Sequence, residues 1–207
     1  MVLYAATTNP GKLSEFATSA STSGIDVLAL PNLATLLEPV EDAHTFMGNA
    51  EIKAIAYSLA SPGLLVFADD SGLEIDALGG DPGVRSARFA DDQKFDLHSG
   101  ATKDDRNNRC VLSLLSQMPP SPRTGRFVCA LALARDGEVL LGSEGKVEGE
   151  ILEAPRGENG FGYDPLFLLP ALGVTTAELP PDRKWELSHR GNAFRQLLQQ
   201  LRSVKLQ

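Results

Sequence analysis

Leu64-Leu65-Val66-Phe67-Ala68-Asp69-Asp70-Ser71-Gly72 is the stretch on which the reading of the fold turns. Its apolar run, 64–67, reads as a short buried strand, and two adjacent carboxylates, Asp69 and Asp70, end it. Ser71-Gly72 then predicts a break, and Gly79-Gly80-Asp81-Pro82-Gly83 a second, tighter one. Open α/β sheets place ligand chemistry where strands end and loops begin. Paired acids at such a point suit a divalent cation or a general base. Asp, Ser and Gly also make turns and cap helices, so this stretch by itself leaves both readings open.

The N-terminal segment sets the fold class. Residues 2–6 are strand-like, and Thr7-Thr8-Asn9-Pro10-Gly11-Lys12 follows as a loop. A helix is expected from Lys12 or Leu13, with Leu13, Phe16, Ala17 and Ala20 on one face. Gly24 ends it, and residues 25–30 form the next strand. This β-loop-α-β opening predicts an α/β sheet. A Gly-bearing turn into a helix presents backbone N–H groups at the positive helix end, which suits a phosphate. Thr7, Thr8 and Asn9 would add donors and Lys12 a full charge. It is not a Walker loop, and a plain capped helix start explains the same residues.

Further along, residues 31–43 are a polar connection carrying Glu38, Glu41 and Asp42. After Thr45 a helix to about residue 60 is expected, with Phe46, Ala50, Ala54, Ile55 and Leu59 as its apolar face and Lys53 on another face. Residues 89–103 read as turn-rich, and Asp104 to Met118 as a helix stopped by Pro119-Pro120. The apolar run 127–134 is a central strand, and Arg135-Asp136-Gly137-Glu138 turns it into a hairpin, so the sheet is mixed. Arg156 to Pro165 is a second Gly-rich loop, in which Phe161 lies between two glycines. Leu166 to Pro170 follows as an edge strand, residues 180–190 are polar, and the last helix runs from about Gly191 to Ser203. There is no interdomain linker or repeat, so residues 1–207 read as one domain.

Bulk composition narrows the function classes. The 207 residues carry a net charge of -8, which argues against a nucleic-acid polymer as partner. No apolar run reaches membrane-spanning length, and the N-terminus lacks a signal-like segment, so a cytoplasmic protein is expected. Cys110 and Cys129 lack metal spacing and read as packed, reduced thiols. A small anionic ligand stays open, provided a few cations converge locally.

Four motifs in order make the chain resemble the inosine/xanthosine triphosphate pyrophosphatase family. They are Ala6-Thr-Thr-Asn-Pro-Gly-Lys12; Ala68-Asp-Asp-Ser-Gly-Leu73 with Ala77-Leu-Gly-Gly-Asp-Pro-Gly83 and Ser86-Ala-Arg88; Phe161-Gly-Tyr-Asp-Pro165; and Ser188-His-Arg-Gly191. Thr45-Phe46, Asn49-Ala50 and Lys53 form a weaker fifth. The resemblance implies an elongated mixed sheet with flanking helices and two lobes around a central nucleotide cleft. It implies hydrolysis of ITP, dITP or XTP to monophosphate and pyrophosphate, with Mg²⁺, in a homodimer. It also implies the roles. The loop Thr7-Thr8-Asn9-Pro10-Gly11-Lys12 would hold phosphates, and Ser71 would contact substrate. Asp70 would be the general base or a metal-linked carboxylate, with Asp69 supporting it or sharing the metal, and Glu41 (rival: Glu38) the other metal carboxylate. Lys53, Lys184 and Arg190 would supply positive charge. Phe161, in its loop with Gly162 and Tyr163, would stack on the base, while Asp164, His189 and Arg190 would read the purine edge.

The chain departs from the family at Gly48, where Glu is frequent, at Arg85, where an aromatic is frequent, and at Ala90-Asp91-Asp92. Two rival functions stand beside this one: a pyrophosphatase for pyrimidine or modified nucleotides, and a nucleotide-binding regulator without turnover.

Overall fold

In the first β-loop-α-β unit, alternate residues of a short strand, Leu3 and Ala5, are buried. This strand is β1 (Val2–Ala5), followed by helix α1 (Pro10–Ser21) and strand β2 (Asp26–Ala29) in a computed structural model describing residues 1–21 and 23–203. Helix α1 begins at Pro10, two residues before the expected Lys12. A proline at the first helical position forfeits an N–H that would have no partner there. The Asn9 side chain accepts from the N–H groups of Gly11 and Lys12 at 2.9 and 3.2 Å, capping the helix. Helix α2 (Phe46–Leu59) starts on Thr45, whose hydroxyl accepts from the Gly48 N–H at 3.1 Å.

The strand containing the acid pair is longer than the sequence predicts. Strand β3 runs Val66–Ile75, straight through Asp69-Asp70-Ser71-Gly72. The expected break at Ser71-Gly72 is therefore corrected: Leu73 and Ile75 are fully buried, and their burial keeps the backbone extended across weak strand formers. The break occurs where positive-φ glycines permit it, at Gly79, Gly80 and Gly83. Short 3₁₀ turns, Asp76–Leu78 and Gly83–Arg88, lead into α3 (Phe89–Asp92) and α4 (Lys103–Ser116).

Strands β4 (Thr124–Arg135) and β5 (Glu138–Ile151) form the expected hairpin over Asp136-Gly137. Both turn residues have positive φ, 52° and 84°, as a two-residue hairpin turn of this hand requires. The chain finishes with β6 (Phe167–Leu169), β7 (Val174–Thr175), α5 (Pro181–Leu187) and α6 (His189–Ser203). Helix α5 and strand β7 had no clear sequence signal. Among the described residues the strands make one seven-stranded sheet in the order β2-β1-β3-β4-β5-β6-β7. It is mixed, with β1 parallel to β2 and β3, and β6 antiparallel to β5 and β7.

The chain forms two compact units, dividing within β3, β4 and β5. Unit 1 comprises Met1–Asp70, Cys129–Lys146 and the chain from Ser188. Its core holds three rings, Phe16 edge-on to Phe67 at 5.1 Å, and Phe194 at 5.0 Å from Phe16 and 5.7 Å from Phe67. Unit 2 comprises Ser71–Val128 and Val147–Leu187. Its core gathers Leu73, Ile75, Phe89, Val111, Ile151 and Leu166, with Phe127 and Phe167 stacked at 4.2 Å. Cys110 and Cys129 are free and buried. No helix among the described residues is long and apolar enough to cross a membrane.

Gly145 marks where β5 meets α6 inside unit 1. A Cβ there would collide with the His189 carbonyl oxygen and the Ala193 amide nitrogen, neither of which a side-chain rotation can move. Gly145→Ala is therefore expected to destabilise the protein by about 1–3 kcal/mol, read as a lower midpoint in urea denaturation.

Candidate active site

Asp69 and Asp70 are neighbours in an extended strand, so their side chains point to opposite faces of the sheet. Asp69 meets Lys12 from α1, whose Nζ donates to its Oδ2 at 2.7 Å, and Arg190 from α6, with Nε at 3.8 Å. Asp70 meets α2 instead. The Asn49 amide donates to its Oδ2 at 3.1 Å, and Lys53 Nζ lies 3.5 Å from its Oδ1. Lys53 also donates to Glu41 at 2.7 Å, linking that acid to Asp70. Asn49 and Lys53 are four residues apart on α2, so they present to one place.

The two faces push the acids apart electrostatically. Burial opposes charge on Asp69, yet Lys12, Arg190 and Lys53 together hold its carboxyl well below the usual carboxylate range. Burial raises Asp70, with Glu41 and Asp69 adding repulsion, and Lys53 and Asn49 only partly offset this. Lys53 shows the complement: burial lowers it, but Asp70, Asp69 and Glu41 raise it more, so its ammonium is held. Adjacent carboxylates pushed in opposite directions divide naturally into a fixed anion and a proton acceptor.

In the N-terminal loop, Asn9 already holds the amides of Gly11 and Lys12, and Thr7 Oγ1 accepts from the Asn9 N–H at 3.2 Å. The Thr8 side chain and Pro10 are exposed. Any anion met by this loop would therefore meet Lys12 and the polar rim rather than bare amides. The Ser188-His189-Arg190 segment differs more from expectation. Ser188 caps α6, accepting from the Gly191 N–H at 3.0 Å, and His189 is buried. The Arg190 side chain is 3% exposed, and its guanidinium donates to Glu15 at 2.9 Å beside Asp69. Arg190 is thus built into unit 1 as the partner of Asp69 and Glu15.

In unit 2 the Phe161 loop is braced from within. Asp164 is buried: Oδ2 accepts from the Phe161 N–H at 2.8 Å and from Lys184 at 2.6 Å, and Oδ1 from Thr176 at 2.8 Å. With both oxygens engaged, Asp164 braces the loop that carries Phe161. Lys184, also buried, packs its ammonium 5.0 Å from the Phe161 ring centroid. Its charge serves Asp164 and that ring. Phe161 itself is 37% exposed and offers an aromatic surface. Tyr163 is buried with its hydroxyl donating to the Ser86 carbonyl at 2.8 Å. Ser71 is half-buried in β3.

The metal expectation needs separate scrutiny. Among the described residues no group of three His, Cys, Asp or Glu side chains converges as a ready-made cation site. The expected trio of Glu41, Asp69 and Asp70 is corrected for a plain reason: Asp69 turns to the other face of the strand, toward Lys12 and Arg190. Glu41 and Asp70 do converge, on the Lys53 ammonium. Two carboxylates sharing a cationic centre, completed by phosphate oxygens, suit the donor chemistry of Mg²⁺. Glu41 rather than Glu38 makes that link to Lys53.

Against known proteins, a model of the Ham1 family matches residues 3–200. This chain belongs to the Ham1 family. It is 48% identical over 201 residues to a dITP/XTP pyrophosphatase of Acidobacterium capsulatum, covering 97% of this chain and 98% of that one. To a dITP/XTP pyrophosphatase of Bacillus subtilis it is 46% identical over 192 residues, covering 93% and 92%. Among solved structures it resembles a HAM1 protein from Coxiella burnetii, with a TM-score of 0.84, 37% identity and coverage of 99% and 100%. The Ham1 protein of Staphylococcus aureus gives 0.81, 35%, 99% and 100%.

The departures within this Ham1-family chain acquire physical reasons. A Cβ at Gly48 would stand 2.7 Å from the Ala43 Cβ, so the first turn of α2 packs where a larger residue does not fit. Arg85 donates to Asp81 at 2.7 Å and lies 5.9 Å from the Phe89 ring centroid. Asp91 accepts from Arg106 at 2.6 Å. Sequence reasoning missed Glu15, Asn49 as a partner of Asp70, and Thr176. Only Asn49 had a usable signal, its four-residue spacing from Lys53.

The sign of the Asp69 shift predicts a pH dependence. A carboxyl depressed in the folded state contributes stability that is fully present above its unfolded value, about 3.9, and is lost as pH falls toward its lower folded value. Asp69→Asn is expected to lower stability at pH 7 and to shrink the stability difference between pH 7 and pH 3, measured by urea denaturation at both.

Proposed function

We propose that this chain is a Mg²⁺-dependent pyrophosphatase that hydrolyses non-standard purine nucleoside triphosphates (ITP, dITP and XTP) to the monophosphate and pyrophosphate. The observation that carries this reading is the placement of Asp69 and Asp70 on opposite faces of β3, Asp69 against Lys12 and Arg190 and Asp70 against Asn49 and Lys53, in a chain similar over nearly its whole length to dITP/XTP pyrophosphatases.

Asp70 is the proton acceptor. Asn49 donates to its Oδ2 and orients it, and Lys53 lies 3.5 Å from its Oδ1. Asp70 takes a proton from water as the water oxygen bonds to the α-phosphorus. The bond from that phosphorus to the bridging oxygen breaks, and pyrophosphate leaves with the electron pair. Lys53, held as an ammonium beside Asp70, stabilises the negative charge developing on phosphate oxygens. Asp70 and Glu41 are the residues that would hold Mg²⁺, which when bound supplies Lewis-acid charge neutralisation on the phosphates. In unit 2 the exposed Phe161 surface suits stacking on a purine. Family resemblance supports a homodimer, and the free, buried Cys110 and Cys129 accord with a reducing, cytoplasmic setting.

The test is a panel of ITP, dITP, XTP, dTTP and UTP with Mg²⁺, reading pyrophosphate and orthophosphate separately. Pyrophosphate release is expected from the first three, with little turnover of the pyrimidines. Asp70→Asn is expected to cut kcat by roughly 10²–10⁴-fold while the denaturation midpoint stays close to that of the unaltered protein. Binding of ITP without release of pyrophosphate would leave a regulator in place of an enzyme. EDTA is expected to abolish turnover, restored by excess Mg²⁺.

A further inference from the structure

Phe161 sits between two positive-φ glycines, Gly160 at 79° and Gly162 at 63°. A glycine leaves the peptide planes on either side free to rotate, so a ring carried there is poorly defined unless something grips those planes. On the Gly160 side the grip is internal to the loop. Asp164 holds the Phe161 N–H, and a Cβ on Gly160 would collide with the Asp164 carboxylate and Lys184. On the Gly162 side it comes from α4, more than 50 residues earlier in the chain. Asp104 Oδ2 accepts from the Gly162 N–H at 2.7 Å, and Asn108 Nδ2 donates to the Gly162 carbonyl at 2.9 Å. The N–H belongs to the peptide between residues 161 and 162, and the carbonyl to the one between 162 and 163. Two side chains one helical turn apart therefore clamp both peptide planes flanking Gly162.

We infer that Asp104 and Asn108 are positioning residues that hold the Phe161 ring in place for the nucleobase. The inference rests on the stacking role proposed above for Phe161. Three features favour it over a purely structural role. Asp104 is exposed, so its contact with Gly162 is not forced by core packing. Asn108 Oδ1 is buried with no hydrogen-bond partner, while its Nδ2 donates to the Gly162 carbonyl. Helix α4 needs neither side chain for its cap, since Thr102 accepts from the Asp105 N–H at 3.1 Å.

The experiment compares Asp104→Ala, Asp104→Asn, Asn108→Ala and Asp105→Ala in ITP hydrolysis. Asp104→Asn keeps an acceptor for the Gly162 N–H while losing the charge. Asp105→Ala removes a neighbouring charge from the same helical turn without touching the loop. Expected is a KM for ITP raised about tenfold in Asp104→Ala and Asn108→Ala with kcat little changed, the pattern of lost ground-state binding. Asp104→Asn is expected to restore most of that affinity, and Asp105→Ala to behave as the unaltered protein. Equal losses in Asp104→Asn, Asp104→Ala and Asp105→Ala would assign the effect to helix-terminus charge and overturn the inference. So would an unchanged KM in Asp104→Ala and Asn108→Ala.

A second readout does not depend on turnover. With Trp185→Phe removing the single native tryptophan, Phe161→Trp reports local order by fluorescence anisotropy. Adding Asp104→Ala is expected to lower the anisotropy, and adding Asp104→Asn to leave it. Absence of ITP turnover in the unaltered protein would sink the function proposed above, and the anisotropy would still decide whether the clamp exists.

Discussion

Strand alternation at Asp69-Asp70 is the constraint on which the rest of the site depends. Two consecutive residues in an extended strand cannot share a face. Continuation of β3 through Ser71 and Gly72 therefore commits Asp69 to α1 and α6, and Asp70 to α2. A turn at Ser71 would have removed this obligation and allowed the carboxylates to converge. Instead the two acids have separate partners and separate proton affinities. A single apolar requirement, the burial of Leu73 and Ile75, thus acts on the chemistry of the acid pair just upstream.

The charges around Asp69 form a balanced set, two acids, Asp69 and Glu15, against two bases, Lys12 and Arg190. Buried pairs of this kind recover little beyond the desolvation they suffer, so they are weak contributors to net stability. Their effect is positional. Arg190 ties α6 to β3, and Glu15 ties α1 to Arg190, so removal of one member strands a charge on another. Asp164 and Lys184 do the same in unit 2, where one buried pair fixes both the backbone at Phe161 and the cation against its ring.

Much of the fold was legible in the order of apolar runs. The β-loop-α-β opening, the helix after Thr45, the central strand 127–134 and the hairpin at Asp136-Gly137 all carry local signals, and all are present. Helix α5 was not legible, because its seven residues include Pro181 and four charged side chains and bury only Lys184. The acid pair, the Lys12 loop and the Phe161 loop stood out as polar residues at element ends. The partners of those residues did not, since Glu15, Thr176, Asp104 and Asn108 look like ordinary helix or loop positions.

The α/β class, the family motifs and the residue types available for chemistry are legible along the chain, because local periodicity and loop composition are properties of neighbouring residues. Which of those residues meet one another is set by the tertiary fold. Arg190 and Asp164 have side chains suited to reading a base, and each is engaged by neighbours in space, Arg190 by Glu15 and Asp69, Asp164 by Phe161, Lys184 and Thr176. Hydrogen-bond partners and strand face depend on contacts far apart in the chain. No local pattern records them.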